Sequence, residues 1–102
     1  MHFVYIIHST TAGKFYVGES AFPENRVVEH NTGKYQHAST KFAKDWQLIK
    51  IITCSNRHDA LQVERYIKSM KSKKFIEQLI NENGFLERFR EIIFEKFTIK
   101  IS

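Results

Sequence analysis

Four side chains in the first two thirds of the chain could between them break a phosphodiester bond: Tyr5, Tyr16, Arg26 and Glu64. That reaction needs a group that activates water and a cation that neutralises charge gathering on phosphorus. It usually also needs a metal held by a carboxylate. The two phenols supply the first requirement. The Arg26 guanidinium is a planar fork of donors matched to phosphate oxygens. Glu64 supplies the carboxylate. No second acidic residue is spaced to build a two-metal pair, so the pattern implies one Mg²⁺ or Mn²⁺ that keeps most of its waters. There is no CxxC, HExxH, Walker loop or GxGxxG. His8, His37 and His58 show no ligand spacing and read as surface residues.

Whether these groups meet depends on the elements that carry them. Residues 2–8 (HFVYIIH) are a continuous apolar, β-branched run, read as a central strand buried on both faces. Residues 9–13 (STTAG) are a turn and 14–19 (KFYVGE) the returning strand. With an even-length loop, Ile7 opposes Tyr16 and Tyr5 opposes Gly18. The two tyrosines are then diagonal neighbours on one face; an odd loop separates them. Gly18 weakens a strand, which marks a bulge or a place where something, such as a phosphate backbone, comes close.

Pro23, Glu24 and Gly33 bracket a short helix in FPENRVVEHNTG. Arg26 and His30, four apart, project from the same side of it. Residues 34–45 have no clean period and read as a loop, and 46–54 (WQLIKIITC) read as a third strand. Ser55 or Asn56 caps a helix that runs to about residue 70. Its apolar stripe is Ala60, Val63, Ile67 and Met70, and Glu64 falls inside that stripe. A carboxylate there is costly unless neutralised, either by Lys68 one turn on or by a metal. Ser72 starts a further helix that Asn83-Gly84 stops. Residues 85–96 form a last amphipathic helix, and the alternating tail FTIKIS suggests an edge strand. The pattern is an α+β fold: a small three-stranded antiparallel sheet flanked by helices, in the order β-β-α-β-α-α-α.

Length and composition agree with one domain over residues 1–102. The chain is 102 residues long with 42% hydrophobic residues, enough for one core. The single cysteine, Cys54, excludes an internal disulfide and reads as a buried structural thiol in a reducing, cytoplasmic compartment. No apolar run approaches the length of a membrane span, and the N-terminus lacks the basic region of a signal peptide. A net charge of +5 favours a polyanionic partner.

Taken singly, each feature has a plain structural reading: strand tyrosines, a surface arginine, a helix carboxylate paired with lysine. Taken in order they resemble the GIY-YIG nuclease family. The hairpin triplets are V-Y-I and Y-V-G. Arg26 follows ten positions after Tyr16, in a helix like that of the short stand-alone members, with His30 one turn on. A lone Glu64 sits in the helix after the third strand, within HDALQVERYIKSMKSKKFIEQLI. The resemblance covers about residues 3–80 and leaves 85–102 as an unassigned C-terminal helical extension.

The resemblance implies a DNA endonuclease with one divalent metal, Mg²⁺ or Mn²⁺, held by Glu64. It implies Arg26 at the scissile phosphate and Tyr5 at the attacking water. Tyr16 and His30 would complete the proton network. Three departures stand out: the first triplet lacks the family's glycine, Glu19 follows Y-V-G, bringing negative charge near a phosphate site, and the asparagine that some branches carry a few turns after the Glu is not evident. Gly18, Lys34, Lys41, Lys44, Lys68 and Lys71 are the expected DNA contacts. With no base-reading arrangement in the sequence, the expected substrate is branched, nicked or single-stranded DNA in repair or recombination. Two other readings keep the scaffold: a non-catalytic nucleic-acid-binding module, and a protein-interaction or homodimer surface on Phe85, Phe89, Ile92, Ile93 and Phe94.

Overall fold

The computed structural model describes residues 1–33 and 43–102. The elements are β1 (His2–Ser9), β2 (Lys14–Ser20), α1 (Pro23–Asn31), β3 (Gln47–Cys54), α2 (Arg57–Ser69), α3 (Lys73–Asn81) and α4 (Asn83–Phe97). The sheet is antiparallel with strand order β2-β1-β3, so the most apolar strand is central, as its sequence demands. Val4, Tyr5, Ile6 and Ile7 are all buried.

The hairpin loop is Thr10–Gly13, four residues and therefore even. Gly13 sits at φ +63, donates its N–H to the Ser9 carbonyl at 2.8 Å, and lets Ser9 pair with Lys14. The resulting register sets Ile7 against Tyr16 and Tyr5 against Gly18. Strand alternation then sorts the side chains into two cores. Val4, Ile6, Val17, Ile52 and Cys54 face α2, α3 and α4, meeting Ala60, Val63, Ile67, Leu79, Phe89 and Ile93. Tyr5 and Ile7 face the other way, against Ala43 and Trp46, with Val27 of α1 and Tyr16 beside them. The sheet is thus sandwiched between α1 and the other three helices. Burial pushes the Cys54 thiol up to about 11, helped by the charge of Asp59, so it is an inert core thiol.

Of the two candidate caps for α2, Asn56 is used, its Oδ1 accepting from the Asp59 N–H at 2.8 Å. Ser72 caps α3 by accepting from the Phe75 N–H at 3.0 Å. Three expectations are corrected. Asn83-Gly84 does not stop α3, which ends at Asn81; it opens α4, because Glu82, extended at φ −119 and ψ 107, already makes the break. The tail is not a strand; only Ser102 pairs, exchanging two backbone hydrogen bonds with Thr53 on the outer edge of β3. The proposed docking face on α4 is mostly core: Phe89 and Ile93 are fully buried, Phe85 and Ile92 half-buried, and Phe94 is 47% exposed.

The hairpin tip is tied to the segment before β3 by Asp45. Its carboxylate accepts from Ser9 Oγ at 2.5 Å and from both Thr11 N–H and Thr11 Oγ1 at 3.0 Å. These bonds, that from Ser9 foremost, hold the Asp45 carboxyl down at about 2. A folded pKa below the unfolded one near 3.9 makes this a stabilising contact above that value, lost as pH falls through 4 towards 2. Asp45→Asn is expected to lower the melting temperature at pH 7. At pH 2 it is expected to differ little from the parent, which thermal unfolding across pH 2–7 would measure.

Candidate active site

The site assembles on the α1 face of the sheet and around the outer edge of β2. Tyr16 is its hub. The His30 ring lies edge-on to Tyr16 at 4.9 Å, and the Tyr5 ring lies 6.4 Å away. Tyr5 Oη and His30 Nε2 are 3.0 Å apart within the core. Burial lowers the His30 pKa, the nearby Arg26 charge lowers it further, and Glu29 opposes them. The imidazole is therefore neutral near pH 7.

Two residues that sequence reasoning did not single out hold this arrangement. Asn31, next to His30, clamps the end of α1 onto the chain entering β3. Its Nδ2 donates to the Trp46 carbonyl at 2.9 Å, and its Oδ1 accepts from the Trp46 N–H at 2.8 Å. Asp45 fixes the same segment from the hairpin side. Neither carries a local pattern; both act across long sequence separations.

Gly18 is bare where the Tyr5 ring of the neighbouring strand comes close. A Cβ built on it would lie 2.5 Å from Tyr5 Oη and 2.6 Å from Cζ. The bare backbone makes room for the Tyr5 ring. Tyr5 is 2% exposed and His30 3%, whereas Tyr16 is half-buried.

Glu64 comes round the sheet from α2, which packs on β1 and β2. Its side chain is 14% exposed and accepts from Lys68 Nζ at 2.6 Å. The same Nζ lies 5.5 Å from the centroid of the Tyr16 ring. Glu64 and Tyr16 are thus separated by no more than the sum of those two distances. Sequence order alone leaves open which side of the sheet Glu64 serves; the outer edge of β2 lets α2 reach across.

Arg26, on α1 one turn before His30, lines an open cavity of about 510 Å³ together with Glu19, Ser20, Phe22, Glu29 and Arg57. Its Nε is 3.8 Å from Glu29 Oε1. Glu19, the unexpected acid after Y-V-G, bonds His2 and lies 3.7 Å from Arg57 Nε, so its charge is compensated within the fold. Lys71 is exposed at the α2–α3 junction with φ +48, and Lys44 is exposed before β3. Lys34 and Lys41, with His37, lie outside the described residues. His58 is exposed as expected, while His8 is half-buried against Phe15 at 4.7 Å.

Among the described residues no group of three or more His, Cys, Asp or Glu side chains could hold a metal. A caged ion such as structural zinc does not fit. A hard divalent ion held by one carboxylate and mostly by water does fit, since Glu64 is a half-buried carboxylate with a cation already against it.

The sequence profile of the GIY-YIG catalytic domain matches residues 1–79, which contain every residue of this cluster. The chain belongs to the GIY-YIG family. Neither the curated proteins nor the solved structures give a match. The GIY-YIG match makes this a nuclease-family domain, and DNA is the substrate that such a domain implies. The match ends at the close of α3, while the core continues through Phe89, Ile93 and Ile99 beyond it. None of the helices among the described residues is long and apolar enough to cross a membrane.

Proposed function

We propose that this GIY-YIG domain is a divalent-metal-dependent DNA endonuclease that cuts phosphodiester bonds at branched, nicked or single-stranded DNA in repair or recombination. The supporting observation is the chain of contacts through Tyr16, which joins Tyr5 and His30 on one side to Lys68 and Glu64 on the other. An Mg²⁺ or Mn²⁺ ion on Glu64 would neutralise charge on the phosphate and make water a better nucleophile.

The chain's own residues do the rest. Tyr16 is half-buried where Tyr5 is 2% exposed, and it orients the attacking water. A free phenol, with pKa about 10, is a weak base near neutral pH and needs cationic help. Lys68 above its ring supplies one such charge. Behind it, neutral His30 hydrogen-bonds Tyr5 and holds both rings in place. Arg26 meets the phosphate oxygens, where charge develops. Lys68 and Lys71 would contact phosphates, which carry no sequence information directly, and this favours recognition of DNA shape over sequence. The single inert thiol agrees with a reducing, cytoplasmic setting.

The test is a cleavage assay with Mg²⁺ or Mn²⁺ on flaps, junctions, nicked, single-stranded and plain duplex DNA. Cleavage is expected on the discontinuous substrates, with at least about a 10²-fold loss in Glu64→Gln. DNA binding that persists in Glu64→Gln, without cleavage by the parent under either metal, would favour a non-catalytic binding module instead.

A further inference from the structure

The position that a divalent ion would take beside Glu64 already holds a cation. Lys68 Nζ sits 2.6 Å from Glu64 Oε2, and no other ion pair to that carboxylate occurs among the described residues. A carboxylate this far buried is costly without a counter-charge. An ammonium is a compact point charge on a flexible stem, unlike the forked guanidinium of the Arg26–Glu29 pair. Lys68 is itself 48% exposed, so it can withdraw without opening the core.

From this geometry we propose that Lys68 is a built-in occupant of the metal position. It neutralises Glu64 when no ion is bound, and a divalent ion must displace it. The stem is anchored one turn along α2, so the displaced ammonium stays beside Tyr16, where it already lies 5.5 Å from the ring. Lys68 would thereby set the ion concentration at which the site becomes competent. The inference rests on the reading of Glu64 as the metal carboxylate.

The experiment measures Mn²⁺ binding to the DNA-free protein by calorimetry, for the parent, Lys68→Gln, Lys68→Arg and Glu64→Gln. Thermal unfolding of each variant confirms that it is folded. An i, i+4 pair with an exposed lysine is worth enough to make Lys68→Gln bind Mn²⁺ about two- to fivefold tighter than the parent. Lys68→Arg, which keeps the charge, is expected to bind no tighter. Unchanged or weaker binding in Lys68→Gln, with binding lost in Glu64→Gln, overturns the role of Lys68 and leaves the metal carboxylate standing. Equal tightening in Lys68→Arg and Lys68→Gln also overturns it, since charge is then not the cause. Mn²⁺ binding that is unaffected in Glu64→Gln removes the metal reading and this inference with it.

Discussion

Arg26→Ala is expected to reduce DNA cleavage by about 10²–10³-fold, the usual cost of removing one preorganised donor from developing charge. The loss should fall mainly on kcat, because the guanidinium matters most as charge accumulates on phosphorus. Arg26→Lys keeps the charge and loses the fork, so it should recover only part of the rate. A second readout follows from the charge that Arg26 places beside His30. That charge lowers the His30 pKa, while Glu29 raises it. In Arg26→Ala burial still lowers the His30 pKa, but the further lowering by Arg26 is gone while Glu29 still raises it, so His30 should take up its proton at a higher pH than in the parent. An NMR titration of the His30 ring reports this directly. If Arg26→Ala cleaves within a few-fold of the parent, Arg26 does not act on the transition state.

Gly18→Ala is expected to damage both the fold and the site. The added methyl would lie 2.5 Å from Tyr5 Oη and 2.6 Å from Cζ. The obstacle is no flexible tip: the Tyr5 ring is buried and its hydroxyl bonds His30. Either the ring leaves its place or the hairpin shifts, at a cost of about 1–3 kcal/mol for overpacking. For a domain of this size, each kcal/mol lowers Tm by roughly 4–8 °C. Because the displaced ring supports His30 and Tyr16, cleavage should fall further than stability alone explains. Gly84→Ala is the matched control. A Cβ there meets nothing within 4 Å, so Tm should hold or rise slightly. If thermal unfolding shows equal effects of the two substitutions, the crossing Tyr5 ring is not what requires a glycine at position 18.

Most of the fold was readable from local rules. The central strand declared itself by its unbroken apolar run, and two helices by caps that are used as expected, at Asn56 and Ser72. The hairpin register was not readable in this way: the sequence left the loop's parity open, and the four-residue turn Thr10–Gly13 settled it. The boundary between α3 and α4 was misread because Asn-Gly is a strong stop signal in isolation. At Glu82 the chain had already turned, and the next helix simply begins at Asn83. The tail misled for a related reason. Its alternation resembles a strand, but Ile99 is drawn into the core and only Ser102 reaches β3.

The sequence by itself determined the order of the chemistry: two phenols in a hairpin, a guanidinium and imidazole one helical turn apart, and a lone carboxylate on an apolar stripe. Those are matters of residue type and short-range period, which the backbone obeys locally. What only the tertiary structure decided is depth and partnership. Packing of α1 on the sheet buries Tyr5 with His30 and leaves Tyr16 half-buried. Packing of α2 against β2 carries Glu64 and Lys68 round the edge to Tyr16. Gly18 is bare because a ring from the neighbouring strand crosses it, and Glu19 is tolerable because His2 and Arg57 come to it from other elements. Such contacts join residues far apart in the chain, and no local period encodes which side chain will fill the space beside another.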